Sequence, residues 1–155
     1  NYPDPKEYNM VSLKDLFVKK EELRKEQIVL SFDEELVYLT IASLQEEVVD
    51  VDKCDYSDSF TVTIRSSNQY LEEGMDKLEE IISPEGFPDG IVVNPADVDC
   101  DTWDDPVATL TINVYTDLDG LDETYKSFVE FLKERATKYF AMRHLELEKA
   151  LASLS

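Results

Sequence analysis

The first apolar residues of the chain that repeat do so at helical spacing: Leu13, Leu16, Phe17 and Leu23 follow a Ser-Leu-Lys-Asp element in which Ser12 can cap a helix and Asp15 sits in its first turn. This predicts a helix to about Lys25. The period then changes. Residues 27–32, 36–42, 47–51 and 59–65 are short runs rich in Val, Ile, Thr and Tyr, separated by acidic or polar residues, and they predict strands of a meander. Alternation is clearest at Phe60, Val62 and Ile64, which should face a core while Thr61, Thr63 and Arg65 face water.

Leu71, Met75, Leu78 and Ile82 then recur at i, i+4, i+7 and i+11, the mark of a helix with one buried stripe over 70–82. Pro84, Gly86, Pro88 and Gly90 end it. Further strands are expected over 91–94 and 108–115, with an acidic surface loop at 97–105 between them. Leu121, Tyr125, Phe128, Leu132, Tyr139, Leu147, Leu151 and Leu154 lie near one face of a long C-terminal helix, or of a helix pair if the pattern breaks near Ala141. Residues 1–11 read as an extended leader, and residues 12–155 as a single acidic α+β domain: an N-terminal helix, a twisted antiparallel sheet and a long C-terminal helix or helix pair. No internal repeat, low-complexity tract or dividing linker interrupts it.

Composition adds the charge. Of 155 residues, 35 are acidic and 15 basic, giving a formal charge of −20. At 43 % hydrophobic the chain has too much apolar material for a disordered acidic tail, so it should fold. A negative field of this size repels phosphate backbones and anionic membranes and speeds the encounter with basic proteins. It disfavours direct nucleic-acid binding, although the basic strip Lys19, Lys20, Arg24 and Lys25 could touch RNA locally. No apolar run approaches the ~20 residues that cross a bilayer, and no signal-peptide pattern opens the sequence. Asn1 at its start is compatible with a targeting segment removed ahead of it.

Candidate chemistry is sparse. Cys54 and Cys100 stand far apart with no Cys-x-x-Cys spacing or neighbouring His, so neither a zinc site nor a disulfide framework is signalled and a reducing compartment fits best. His144, the sole histidine, has no nucleophile implied by spacing and reads as a helix surface residue. Asp97, Asp99 and Asp101 alternate as in a calcium loop, but Thr102 stands where the loop needs glycine and Ala108 where it needs Glu; the run Asp117, Asp119, Gly120 and Asp122 places its glycine too early. With four glycines in all, no phosphate-cradling loop is present. No catalytic residue, cofactor or metal is therefore expected. Trp103 and Tyr115 could form an aromatic contact patch, against the plainer alternative that Trp103 covers a sheet edge and Tyr115 is core. For electrostatic contacts with a partner the candidates are Asp97, Asp99, Asp101, Asp104 and Asp105, with Trp103 among them, and the paired acids Glu46, Glu47, Glu72 and Glu73.

Four blocks in order carry a resemblance: Leu-Thr-Ile-Ala-Ser-Leu-Gln-Glu-Glu-Val-Val-Asp-Val at 39–51, Phe-Thr-Val-Thr-Ile at 60–64, Phe-Pro-Asp-Gly-Ile-Val-Val at 87–93, and Leu-Asp-Glu-Thr-Tyr-Lys-Ser-Phe-Val-Glu-Phe-Leu-Lys-Glu-Arg at 121–135. The chain resembles the mitochondrial acidic matrix protein family, also called the mitochondrial glycoprotein family, which includes the receptor for globular heads of complement component one q. It departs from that pattern at 70–82, where a helix stands in place of sheet, at Ala136, where the family has glycine, and in lacking the family's final tryptophan-containing helix motif. The resemblance implies a twisted sheet flanked by terminal helices, a ring-shaped homotrimer, and a chaperone-like scaffold of the mitochondrial matrix linked to RNA processing, translation or respiratory-chain maintenance. It implies no catalytic residues.

The expected function is a non-enzymatic acidic adaptor that binds basic proteins, homo-oligomeric with a trimer favoured, in the mitochondrial matrix or otherwise the cytoplasm. Two alternatives belong to other classes: a small acidic secretion-type chaperone, and an inhibitor that imitates DNA or neutralises a basic toxin.

Overall fold

Helix α1 (Leu13–Glu46) begins at the predicted cap, where Ser12 Oγ accepts a hydrogen bond of 3.0 Å from the Asp15 backbone N–H. It does not stop near Lys25. A computed structural model describes residues 12–99 and 107–154, and in it α1 runs unbroken for 34 residues. The strands expected over 27–32 and 36–42 are therefore helix. Their β-branched residues favour strand locally, but Leu23, Leu30, Val37 and Leu44 repeat every seven positions, with Ile41 one turn after Val37, and Leu30, Val37, Ile41 and Leu44 are buried. Tertiary packing of that stripe outweighs local preference.

The sheet contains β1 (Val48–Lys53), β2 (Phe60–Ser66), β3 (Ile91–Val93), β4 (Asp97–Asp99) and β5 (Val107–Val114), all paired antiparallel. Its spatial order is β1-β2-β5-β3, with β4 also pairing β5 beyond β3. In the central pair Phe60 lies opposite Val114, Val62 opposite Ile112, and Ile64 opposite Leu110, and all six are buried. The predicted alternation of β2 is thus observed. Thr61, Thr63, Thr109, Thr111 and Asn113 form the other, half-buried face. The turn into β3 needs Gly90, whose φ of 85° is left-handed, and its carbonyl accepts from the Tyr115 N–H at 2.8 Å.

Helix α2 (Leu71–Ile82) buries Leu71, Met75, Leu78 and Ile82, the stripe predicted for it. Helix α3 (Leu121–Ala152) is continuous through Ala141, so the C-terminal element is one helix and not a pair. It buries Phe128, Val129, Leu132, Ala136, Phe140 and Leu147. The three helices share one core with the buried face of the sheet, giving an α+β domain.

α1 and α3 run antiparallel. The Tyr125 hydroxyl donates to the Leu44 carbonyl, Tyr38 Oη lies 3.1 Å from Thr137 Oγ1, and His144 Nε2 lies 2.5 Å from Glu34 Oε2. Each step back along α1 meets a step forward along α3. His144, expected at a helix surface, is half-buried in this seam. Lys77 ties α2 to α1 through Asp33 at 3.4 Å, and Arg135 ties α3 to the loop after α2 through Glu85.

Candidate functional site

The last turn of α1 ends on two glutamates. Glu46 is exposed and Glu47, the C-cap, is half-buried, and no basic residue occupies that turn to offset the partial negative charge of its carbonyls. β2 leaves the sheet beside it and turns into α2 through Ser66-Ser-Asn-Gln-Tyr70. Asn68 organises the turn: its N–H donates to Ser66 Oγ at 2.9 Å, and its Oδ1 accepts from the Tyr70 N–H at 3.0 Å. Ser66 Oγ also lies 3.3 Å from Ser43 Oγ on α1, which pins the turn to the helix.

Between these segments lies an open cleft of about 420 Å³ whose walls include Leu39, Ser43, Glu46, Glu47, Asn68 and Tyr70. No Lys or Arg is among the residues that line it. Two buried polar atoms of its walls, Glu47 Oε2 and Asn68 Nδ2, have no hydrogen-bond partner among the described residues. The hydrogen bond at Asn68 Oδ1 fixes which end of the amide remains available. A buried acceptor or donor left unmatched costs about 1–3 kcal/mol, and one acidic acceptor and one amide donor of this kind belong to residues that line the cleft.

A second groove, of about 510 Å³, runs between α2 and β3. Glu72, Asp76 and Glu79 form its acidic rim over a floor that includes Met75, Ile91 and Leu110. Glu72 and Glu73 also stand exposed in the first turn of α2, where their charge complements the helix N-terminus.

The predicted contact residues are thus divided. Glu46 and Glu47 share the cleft, Glu72 borders the second groove, and Glu73 points to neither. Asp97 is exposed on β4 opposite Thr109, and Asp99 pairs along the backbone with Val107, so the expected loop begins as a strand. Asp101, Trp103, Asp104 and Asp105 lie outside the described residues, as does Cys100. Tyr115 is 48 % exposed and is not core. The run at Asp117 has a structural use: Asp117 Oδ1 accepts from the Gly120 N–H at 2.8 Å where α3 begins.

On the open face of the sheet, Asp50 and Asp52 of β1 stand opposite Thr63 and Thr61. Hydrogen bonding to Asp50, then repulsion by it, raises the Asp52 carboxyl above the ordinary carboxylate range. The Cys54 thiol is lowered by hydrogen bonds from Ser59 and Thr61. No group of three or more His, Cys, Asp or Glu could hold a metal ion among the described residues, and no helix there is long and apolar enough to cross a membrane.

Asn68, Ser43, Ser66 and Tyr70 were not signalled as functional by the sequence. A Ser-Ser-Asn-Gln run between a strand and a helix signals only a turn. No family model, no curated protein and no solved structure matches the chain.

Proposed function

We propose that the chain is a non-enzymatic acidic binding protein, an adaptor that holds a basic segment of a partner protein in the cleft at the C-terminal end of α1. The observation that carries this reading is the pair of unmatched buried atoms, Glu47 Oε2 and Asn68 Nδ2, in a cleft with no basic wall. An arginine or lysine side chain entering there meets Glu46, Glu47 and the carbonyl end of α1, while Asn68 Nδ2 is free to donate to a backbone carbonyl of the same segment. Tyr70, half-exposed at the rim, offers a ring face to a guanidinium. The charge of −20 draws basic partners in from a distance, and the cleft holds them.

Titration calorimetry with a short Arg-containing peptide tests the proposal. A hydrogen bond to a charged group contributes about 1.5–3 kcal/mol, so Glu47→Gln should weaken binding roughly tenfold to a hundredfold. Asn68→Ala should weaken it less. Binding that both variants leave unchanged would remove the cleft from the account.

A further inference from the structure

α1 is apolar on two opposed sides. Leu30, Val37, Ile41 and Leu44 face the core. Phe17, Ile28, Phe32 and Leu39, spaced by 11, 4 and 7 positions, form a second row on the far side of the helix and are 62, 57, 67 and 53 % exposed. At 1.5 Å per residue that row is about 33 Å long. A helix apolar on both sides is ordinarily covered on both, and an exposed apolar row marks an interaction surface.

Charge along α1 is also divided. Up to Lys25 it carries Lys14, Lys19, Lys20, Arg24 and Lys25 against Asp15, Glu21 and Glu22. From Glu26 to its end it has no basic residue; Asp33 and Glu34 are taken up within the chain by Lys77 and His144, and Glu35 and Glu46 stand exposed. In a chain with more than twice as many acids as bases, the first half of α1 is a local reversal. A shallow groove of about 390 Å³ lies at the middle of the exposed row, with Ile28 and Phe32 on its floor, Arg24 at one end and Glu35 at the other.

We infer that this row packs against the same row of a second copy of the chain, antiparallel, about a two-fold axis at the level of Ile28 and Phe32. The axis sets Ile28 of each copy against Phe32 of the other and Arg24 beside Glu35 of the other, so the basic half of each helix covers the acidic half of its mate. A parallel pair stacks like charge on like. An anionic lipid surface or an acidic protein matches only the basic half and leaves Phe32, Leu39 and Glu35 without a complement. The existing Arg24–Glu21 bridge, at 2.9 Å between exposed side chains, is of the weak i,i+3 kind and yields readily to an intermolecular one. The pairing does not rest on the basic-segment cleft, although Leu39 and Glu46 belong to both surfaces, and the test therefore leaves both untouched.

Light scattering coupled to gel filtration decides the matter. The chain should run at twice 17.8 kDa, and Ile28→Asp or Phe32→Asp, both at exposed positions, should give monomers with unchanged circular dichroism. Arg24→Glu and Glu35→Arg alone should each raise the dimer dissociation constant about tenfold, and the double reversal should restore it. A monomer, a trimer, a dimer indifferent to both aspartate variants, or a double reversal no better than the singles would each overturn the inference. Peptide binding at the cleft, measured on the same samples, reports separately on the proposed function.

Discussion

Gly74 of α2 lies against Thr40 of α1 so closely that a Cβ at position 74 would stand 1.8 Å from Thr40 Oγ1 and 2.9 Å from its Cβ. Glycine inside a helix ordinarily costs about 1 kcal/mol relative to alanine; here it is what lets the two helices touch. Thr40 is fully buried and donates its hydroxyl to the Leu36 carbonyl at 2.9 Å, so it cannot swing away without losing that bond.

Gly74→Ala is therefore expected to destabilise the fold by about 1–3 kcal/mol in denaturant melts, despite its better helix propensity. Thr40→Ala in the same chain removes the nearer atom and should recover part of the loss. Additive effects of the two substitutions would contradict the contact.

Tyr125 closes α1 from the opposite helix, since its hydroxyl donates to the Leu44 carbonyl, which lies in the last turn and has no helical partner. Tyr125→Phe should cost about 1 kcal/mol. Burial pushes the Tyr125 hydroxyl well above the ordinary tyrosine value. The folded state then keeps a proton that the unfolded state releases, so the contribution is complete below about pH 10 and is lost as pH rises past it. Chemical melts from pH 8 to 11 should show a shallower alkaline loss in Tyr125→Phe than in the parent chain.

Asp50 and Asp52 share the open face of the sheet, and Asp52 is held above the ordinary carboxylate range by its hydrogen bond to Asp50 and by the repulsion between them. The folded state binds a proton more readily than the unfolded chain, so the contribution of this group is present at low pH and is lost as pH rises through the raised value. Asp50→Asn should bring Asp52 back toward about 3.9 in a carbonyl-detected NMR titration. An Asp52 curve that does not move on this substitution would separate the shift from Asp50.

How much of this was legible in the sequence varies by element. The stripe of α2 and the alternation of β2 could be read because each buries one side only. α1 could not, because Phe17, Ile28, Phe32 and Leu39 opposite Leu30, Val37 and Leu44 blur any single helical period, and β-branched residues at 28, 29, 37, 40 and 41 then suggest strand. One signal was available: no Gly or Pro breaks residues 12–46, so the predicted strands lacked turns between them. The cleft was half legible. Glu46 and Glu47 stood out as paired acids, but Asn68 acquires its place only when the strand-to-helix turn folds back on Ser43, a contact between residues far apart in the chain.

Backbone amide signals of the labelled chain, followed during titration with the Arg-containing peptide, show whether the cleft at the end of α1 is where a basic segment binds. The largest shifts should fall on Glu46, Glu47 and residues 66–70, and in Glu47→Gln they should need roughly tenfold to a hundredfold more peptide. Shifts centred on Glu72, Asp76 and Glu79, or spread evenly over the acidic surface, would contradict it.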